Sequence, residues 1–320
     1  MEFQILLNNL TNPTLLFFVL GIVATRLKSD LEIPGSTSKF ISLYLLFSIG
    51  FRGGQELSHS TFSSEIVYSL ILGLVLASVI PIYVFFLLKR RLTVSNAGAV
   101  ASAYGSVSAV TFVSAVAFLE SQQISYGGHM VAVMALMESP AIIVGVILMI
   151  LFNKEGNHKC DWRKALHHSF TNGSVLMLMG SLVIGLIANS KQADGIKPFT
   201  TDIFYGFLAV FLLEMGMLTA RGFTDFKRYG WSVTLFALIV PAVNGCLVAI
   251  LSGMVTADVG NRFIFAVLAA SASYIAVPAA MRIVAPEANP GLYVPMALGV
   301  TFPFNITVGI PLYFMIVNYY

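Results

Sequence analysis

The sequence predicts an all-α membrane protein: ten transmembrane helices as two inverted five-helix repeats, with broken crossing helices in spans four and nine. Three observations predict it: the composition, the length of the apolar runs, and an internal echo. Of 320 residues, 57% are hydrophobic and only 10% are charged, against roughly 25% charge in an ordinary soluble domain. The mean hydropathy is +0.85. Such a chain cannot cover a globular surface with polar groups, so its solvent is lipid, and soluble enzymes and disordered chains are excluded. A net charge of +3 provides no basic patch, so no nucleic-acid partner is expected. Two cysteines, Cys160 and Cys246, are too few for a disulfide framework.

In lipid, backbone groups must satisfy one another, which leaves helices or closed barrels. Barrel strands would alternate in polarity. Here the apolar runs are continuous and close to the ~20 residues that cross a bilayer as helix. Ten are expected, near 13–27, 37–52, 64–88, 93–120, 128–153, 171–189, 201–221, 230–255, 261–284 and 291–318. Residues 2–10 read as an interfacial segment and not as a cleaved signal, because the basic start of a signal is missing. Ten spans place both termini on one side. Four basic residues (Arg52, Lys191, Lys197 and Arg262) fall on that side and the other fourteen opposite, so the positive-inside bias puts both termini outside. The expected location is the plasma (inner) membrane.

The echo relates the halves. Ile49-Gly50-Phe51 resembles Met215-Gly216-Met217 at an offset of 166, Ala109-Val110 matches Ala276-Val277 at 167, and Gly21 pairs with Gly180 at 159. The change of offset falls in one loop, Ser190 to Thr200, which is longer in the second half. The expected division is 1–153 for the first repeat, 154–170 for a cytoplasmic linker and 171–320 for the second. Five spans per repeat is odd, so the repeats are inverted. Inverted repeats are a signature of secondary transporters, which bind substrate near the midplane at discontinuous helices.

The breaks are expected where small and hydroxyl residues gather at mid-span. Span four carries Ser102, Gly105, Ser106, Val107, Ser108 and Thr111, and span nine carries Ser271, Ala272, Ser273, Tyr274, Ile275 and Ala276, with Pro278 beyond. Gly105 is read as tolerating unusual backbone angles and Pro278 as lacking a helix donor. Two half-helix N-termini meeting there would suit an anion. The competing reading of the same residues is close helix packing. The expected anion set is Gly105, Ser106, Val107, Ser108 and Thr111 with Ser271, Ala272, Ser273, Tyr274, Ile275 and Ala276. Two carboxylates lie deep in apolar runs, Glu138 and Glu214, and a buried carboxylate is a functional residue by default. Each suits a cation or a proton, or else a neutral hydrogen bond to a neighbouring helix. At the repeat offset, Asn305 is the counterpart of Glu138, and Thr301 lies a turn before it. Uncharged oxygens of this kind suit a hard cation such as sodium. The expected cation set is Ser102, Glu138, Thr301 and Asn305. His158, Cys160, His167 and His168 fit no standard zinc spacing and read as a solvated connector. There is no phosphate-binding Gly-x-x-x-x-Gly-Lys-Ser/Thr sequence, so ATP hydrolysis through one is not expected. No resident cofactor and no enzyme activity are expected of such a transporter.

The sequence resembles the sodium-dependent bicarbonate transporters first recognised in cyanobacteria. The resemblance rests on Ile33-Pro34, Ile49-Gly50-x-x-Gly53-Gly54, Gly105-x-Val107-Ser108-x-x-Thr111, Ile124-Ser125-Tyr126, Met215-Gly216-Met217, Ala288-Asn289-Pro290 and Ile310-Pro311-Leu312. It implies a homotrimer with a scaffold and a mobile core, bicarbonate held between the broken helices, sodium nearby as coupling ion, and, in some members, a cytoplasmic regulatory protein similar to nitrogen-signalling proteins. Two departures stand out. Tyr274 occupies the break where the cyanobacterial members carry Asp, which bears on sodium stoichiometry and on the substrate. The loop between the halves is short, which bears on the regulator. The expected function is sodium-coupled uptake of bicarbonate or a similar small anion by alternating access. The alternatives are a cation/proton antiporter working through Glu138 or Glu214, and a channel-like membrane protein.

Overall fold

Long runs of Leu, Ile, Val and Phe without charge form helices here because no other backbone arrangement closes its hydrogen bonds within one apolar segment. The computed structural model describes residues 11–60, 63–152, 171–226 and 231–320, with the backbone alone for 222–226. Every regular element among them is helical. In chain order these are α1 Pro13–Arg26, α2 Gly35–His59, α3 Ser64–Leu88, α4 Val94–Gly105, α5 Ala109–Ser121, α6 His129–Phe152, α7 Gly173–Ile187, α8 Ser190–Lys197, α9 Phe204–Phe226, α10 Trp231–Leu251, α11 Val259–Ala270, α12 Ala276–Val284, α13 Pro290–Met296, α14 Phe302–Phe304 and α15 Ile310–Tyr319. Among the described residues, six helical stretches are long and apolar enough to cross a membrane. Pro13–Arg26, Gly173–Ile187 and Val259–Ala270 are shorter apolar helices. The linker 154–170, with His158, Cys160, His167 and His168, and the segment 2–10 lie outside the described residues.

Burial separates an outer layer from an inner one. The apolar windows of α3 and α10 are 33% and 39% buried, whereas the stretch made of α4 and α5 is 89% buried. Ile71, Val75, Val79 and Ile82 on α3, with Ile239, Val243 and Leu247 on α10, are exposed. Apolar faces of this kind are at home in lipid and not in water.

Packing sorts the helices into two sets. In one, α2 lies along α7 and α1 along α9. In the other, α3 packs on α4 and α6, α4 on α6, and α10 on α11. The seams of the first set are built on glycine. A Cβ on Gly54 of α2 would collide with the Leu182 carbonyl oxygen of α7, and one on Gly21 of α1 with the Leu213 carbonyl oxygen of α9. Small residues permit this backbone approach.

Four features differ from the sequence expectation. The second helix continues seven residues past 52, to His59. Its polar end is held: the Gln55 amide donates to the Gly185 carbonyl and, at 2.8 Å, to that of Ala188, and Arg52 Nη1 meets Glu120 Oε1 at 2.7 Å. The stretch after α7, read as a loop, holds the short helix α8, started by a capping box between Asn189 and Gln192. The last run is not a uniform helix. It contains π turns at Ala297–Thr301 and Asn305–Gly309, and Pro295, Pro303 and Pro311 recur through it, each removing a ladder donor. Gly105 ends α4 without a positive φ, so unusual backbone angles are not its role. A Cβ there would strike the Pro81 ring of α3.

Candidate functional site

The two interruptions fall inside otherwise apolar stretches. α4 stops at Gly105 and α5 starts at Ala109, while α11 stops at Ala270 and α12 starts at Ala276. They touch. Ser273 N donates to the Ala103 carbonyl at 2.8 Å, and Ser108 N donates to Ser271 Oγ at 3.0 Å. Ser271 Oγ in turn donates to the Leu268 carbonyl at 2.9 Å. Each break therefore uses the other to satisfy groups that a continuous helix would have paired.

A serine hydroxyl serves each new helix start: Ser108 is the N-cap of α5, while α12 starts from Ile275 and receives its bond from Ser273 further upstream. Ser108 Oγ accepts from Thr111 N at 3.2 Å, and Ser273 Oγ accepts from Val277 N at 3.3 Å. Each hydroxyl keeps its own proton to donate elsewhere. Pro278 lies in the first turn of α12, where its missing N–H costs nothing.

A cavity with about 460 Å³ of unfilled space, open solvent included, lies at these two starts. Val107, Ser108, Ala109 and Val110 line it from one break, and Ser273, Tyr274, Ile275 and Ala276 from the other. The first N–H groups of a helix have no intrahelical acceptor and sit at its positive end. The cavity thus faces two such ends at once. Ser42 of α2, Ser174 of α7 and Glu138 of α6 complete its polar lining. Glu138 is therefore placed beside the anion candidates. Tyr274 sets its ring edge-on to Phe302, centroids 6.0 Å apart, and its hydroxyl donates to Met215 Sδ at 3.8 Å.

Of the remaining anion candidates, Gly105, Ser106, Thr111, Ser271 and Ala272 are buried around the breaks and do not line the cavity. Ser106 Oγ and Ser102 Oγ are buried with no hydrogen-bond partner among the described residues. The other cation candidates are dispersed. Ser102 faces Gly145 of α6. Thr301 donates to the Ala237 carbonyl at 2.7 Å and lies 2.8 Å from the Tyr104 hydroxyl, which is then the donor of that pair. Asn305 donates from Nδ2 to the Ala270 carbonyl at 2.7 Å and accepts from the Tyr313 hydroxyl at 3.1 Å. Ala270 is the last residue of α11, so Asn305 holds the open carbonyl end of that half-helix. Of the four cation candidates, Glu138 is the one that lines the cavity.

Glu214 of α9 is 8% exposed, and its Oε2 has no partner among the described residues. It lies close to Ser38 of α2. A wide vestibule, with about 1920 Å³ of unfilled space, open solvent included, leads from Gly35, Lys39 and Asn172 past Phe211 and Met215 to Tyr274 and Ile275. Ser42 and Ser174 line both the vestibule and the cavity at the breaks. The sequence reading missed both serines. Their signal was modest: Ser38, Ser42 and Leu46 follow the i, i+4 spacing of one helix face.

Apolar helices with lipid-compatible outer faces, wrapped around two broken helices that share a polar cavity, are the build of a multi-pass membrane protein. The family model of the Na+-dependent bicarbonate transporter superfamily matches residues 13–318, and the chain belongs to that family. No curated protein matches the chain.

Proposed function

We propose that this protein is a sodium-coupled importer of bicarbonate or a similar small anion, working by alternating access. The observation that carries the reading is the pair of helix starts, α5 and α12, facing one cavity that also receives Glu138. Two positive helix ends and the Ser108 and Ser273 hydroxyls would bind a small oxyanion without a basic side chain. An ionised Glu138 in the same cavity repels that anion. A sodium ion beside Glu138 removes the repulsion, so the two ions bind better together than apart, which is the free-energy coupling a symporter needs. Ser102, Thr301 and Asn305 are proposed to support sodium from the surrounding helices, through the free Ser102 hydroxyl and through the end of α11 that Asn305 holds.

The reciprocal seams support the inverted repeat. The first helix of the first half pairs with the second of the other half, and the second with the first. The set α1, α2, α7 and α9 would serve as the scaffold, and the helices around the breaks as the moving body. The vestibule at the Lys39 end is proposed to be the cytoplasmic opening, because the positive-inside bias puts Lys39 there. Importing one bicarbonate against an inside-negative potential costs about 2.3 kcal/mol per 100 mV. One sodium cancels that charge, and further sodium drives accumulation. The exposed apolar faces suit lipid and the subunit contacts of a homotrimer. Uptake of labelled bicarbonate by proteoliposomes, with and without an inward sodium gradient, tests the reading. Uptake that depends on the gradient is expected. A sodium-for-proton exchange without bicarbonate flux would replace it with the antiporter.

A further inference from the structure

At the end of α2 opposite the vestibule, a second crevice with about 800 Å³ of unfilled space, open solvent included, is lined by Arg52, Gln55, Glu56 and His59 of α2, by Asp194 and Lys197 of α8, and by Thr200 and Thr201. Arg52 is its distinctive member. Its Nη1 pairs with Glu120 Oε1 at 2.7 Å, and its guanidinium carbon lies 4.7 Å from the centre of the Phe204 ring. Glu120 Oε2 accepts from the Tyr205 hydroxyl. Arg52 Nε and Nη2 are buried and have no hydrogen-bond partner among the described residues. Those two nitrogens form the side-on fork of a guanidinium, which matches a planar oxyanion with two parallel hydrogen bonds. A buried guanidinium fork with no partner among the described residues is a costly arrangement that asks for a physical reason.

The elements matter as much as the atoms. Arg52 belongs to α2 and Tyr205 to α9, both in the first helix set. Glu120 ends α5, which starts at the cavity and belongs with the broken helices. The triad therefore ties the two sets together at one end of the molecule, while the wide vestibule parts α2 and α9 from the break at the other.

We propose that Arg52 is an anion-recruiting and gating residue: its side-on fork captures a planar oxyanion of the bicarbonate or carboxylate class at the crevice, and its bond to Glu120, shared with Tyr205, latches that mouth shut while the vestibule is open. Moving α5 away from α2 and α9 breaks the Glu120 bonds and exposes the fork. An anion on the fork then replaces the carboxylate that Arg52 has lost, so the open mouth is stabilised by the substrate itself. The substrate class rests on the transport reading above; the latch does not.

The test has two arms. In the first, uptake of labelled bicarbonate is measured in right-side-out and inside-out membrane vesicles, so that each face of the protein is supplied in turn. Arg52→Lys keeps the charge and loses the fork. Its KM at the Arg52 face is expected to rise about tenfold, the loss of a charge-assisted bond, with KM at the Lys39 face unchanged. In the second, Cys160 and Cys246 are replaced by Ala, and single cysteines are placed at Thr201 in the crevice and Met177 in the vestibule. Glu120→Gln is expected to speed labelling at Thr201→Cys by an impermeant maleimide and to slow it at Met177→Cys. Tyr205→Phe, which removes one bond to Glu120 and leaves the ion pair, is expected to give a smaller shift of the same sign, and it serves if Glu120→Gln is poorly folded. A KM unchanged at the Arg52 face, or labelling unchanged at both cysteines, overturns the proposal. If the wild type carries no bicarbonate at either face, the substrate reading fails, and the labelling arm still decides the latch.

Discussion

Ser108 caps α5, Ser273 accepts from the first-turn Val277 N–H of α12, and each retains one hydroxyl proton. Removing a cap costs about 0.5–2 kcal/mol of stability. Removing a charge-assisted bond to a bound anion costs roughly 1.5–3 kcal/mol of affinity. Ser108→Ala and Ser273→Ala are therefore expected to fold with a modest loss of stability and to weaken anion binding about tenfold by calorimetry. Unchanged affinity in both would remove the anion from these helix starts and favour the packing reading of the small residues. Glu138 gives the complementary case. Glu138→Gln keeps the shape and deletes the charge, so sodium should no longer enhance bicarbonate uptake, while the purified variant keeps its melting temperature. Normal sodium dependence would make Glu138 a structural residue. That Glu138 is a candidate was legible at the sequence level, because a carboxylate in Met137-Glu138-Ser139-Pro140 has few reasons to be there; that it lines the cavity at the breaks was not. The positions of Thr301 and Asn305 were not. Their bonds to Ala237, Tyr104, Ala270 and Tyr313 join residues as many as 197 apart in sequence, and no local pattern announces such partners.

At the scale of elements, the breaks were legible and the last helix was not. Clusters of Ser, Ala and Gly in the middle of an apolar run announce that the side chains there do not cover backbone, and both interruptions fall inside them. The π turns of the final run are subtler, because three prolines spread through it are compatible with a kinked helix as well as a widened one. The extension of α2 was also hidden. The apolar run ends where Arg52 begins, and what keeps the helix going is capping of α7 by Gln55 and the ion pair with Glu120, both distant in sequence. Gly105 teaches a related lesson. It is required by the Pro81 ring packed against it and not by its own backbone angles. Gly105→Ala is thus expected to lower stability by about 1–3 kcal/mol, the cost of overpacking, and so to lower the melting temperature more than Ser108→Ala does. A Gly105→Ala protein with unchanged melting temperature would show that Pro81 yields freely. The seam glycines make the same kind of demand. Gly54→Val should separate α2 from α7 and destabilise the protein, because the obstacle is backbone and cannot rotate away.

At the scale of the whole molecule, an orientation, two sets of helices and an ion coupling have to work together. The orientation can be read from the two exposed ends of α2. With Cys160 and Cys246 replaced, Lys39→Cys should resist an impermeant maleimide in intact cells and His59→Cys should react. The reverse pattern would invert the molecule and make the vestibule the outer opening. The coupling of the two ions is read by flux. Purified protein is reconstituted into proteoliposomes, and labelled bicarbonate is supplied outside with an inward sodium gradient, with equal sodium on both sides, or with potassium in its place. Bicarbonate is expected to accumulate above its external concentration under the gradient only, and Glu138→Gln is expected to lose that accumulation. Bicarbonate entry at the same rate and to the same level in all three conditions would contradict the coupling.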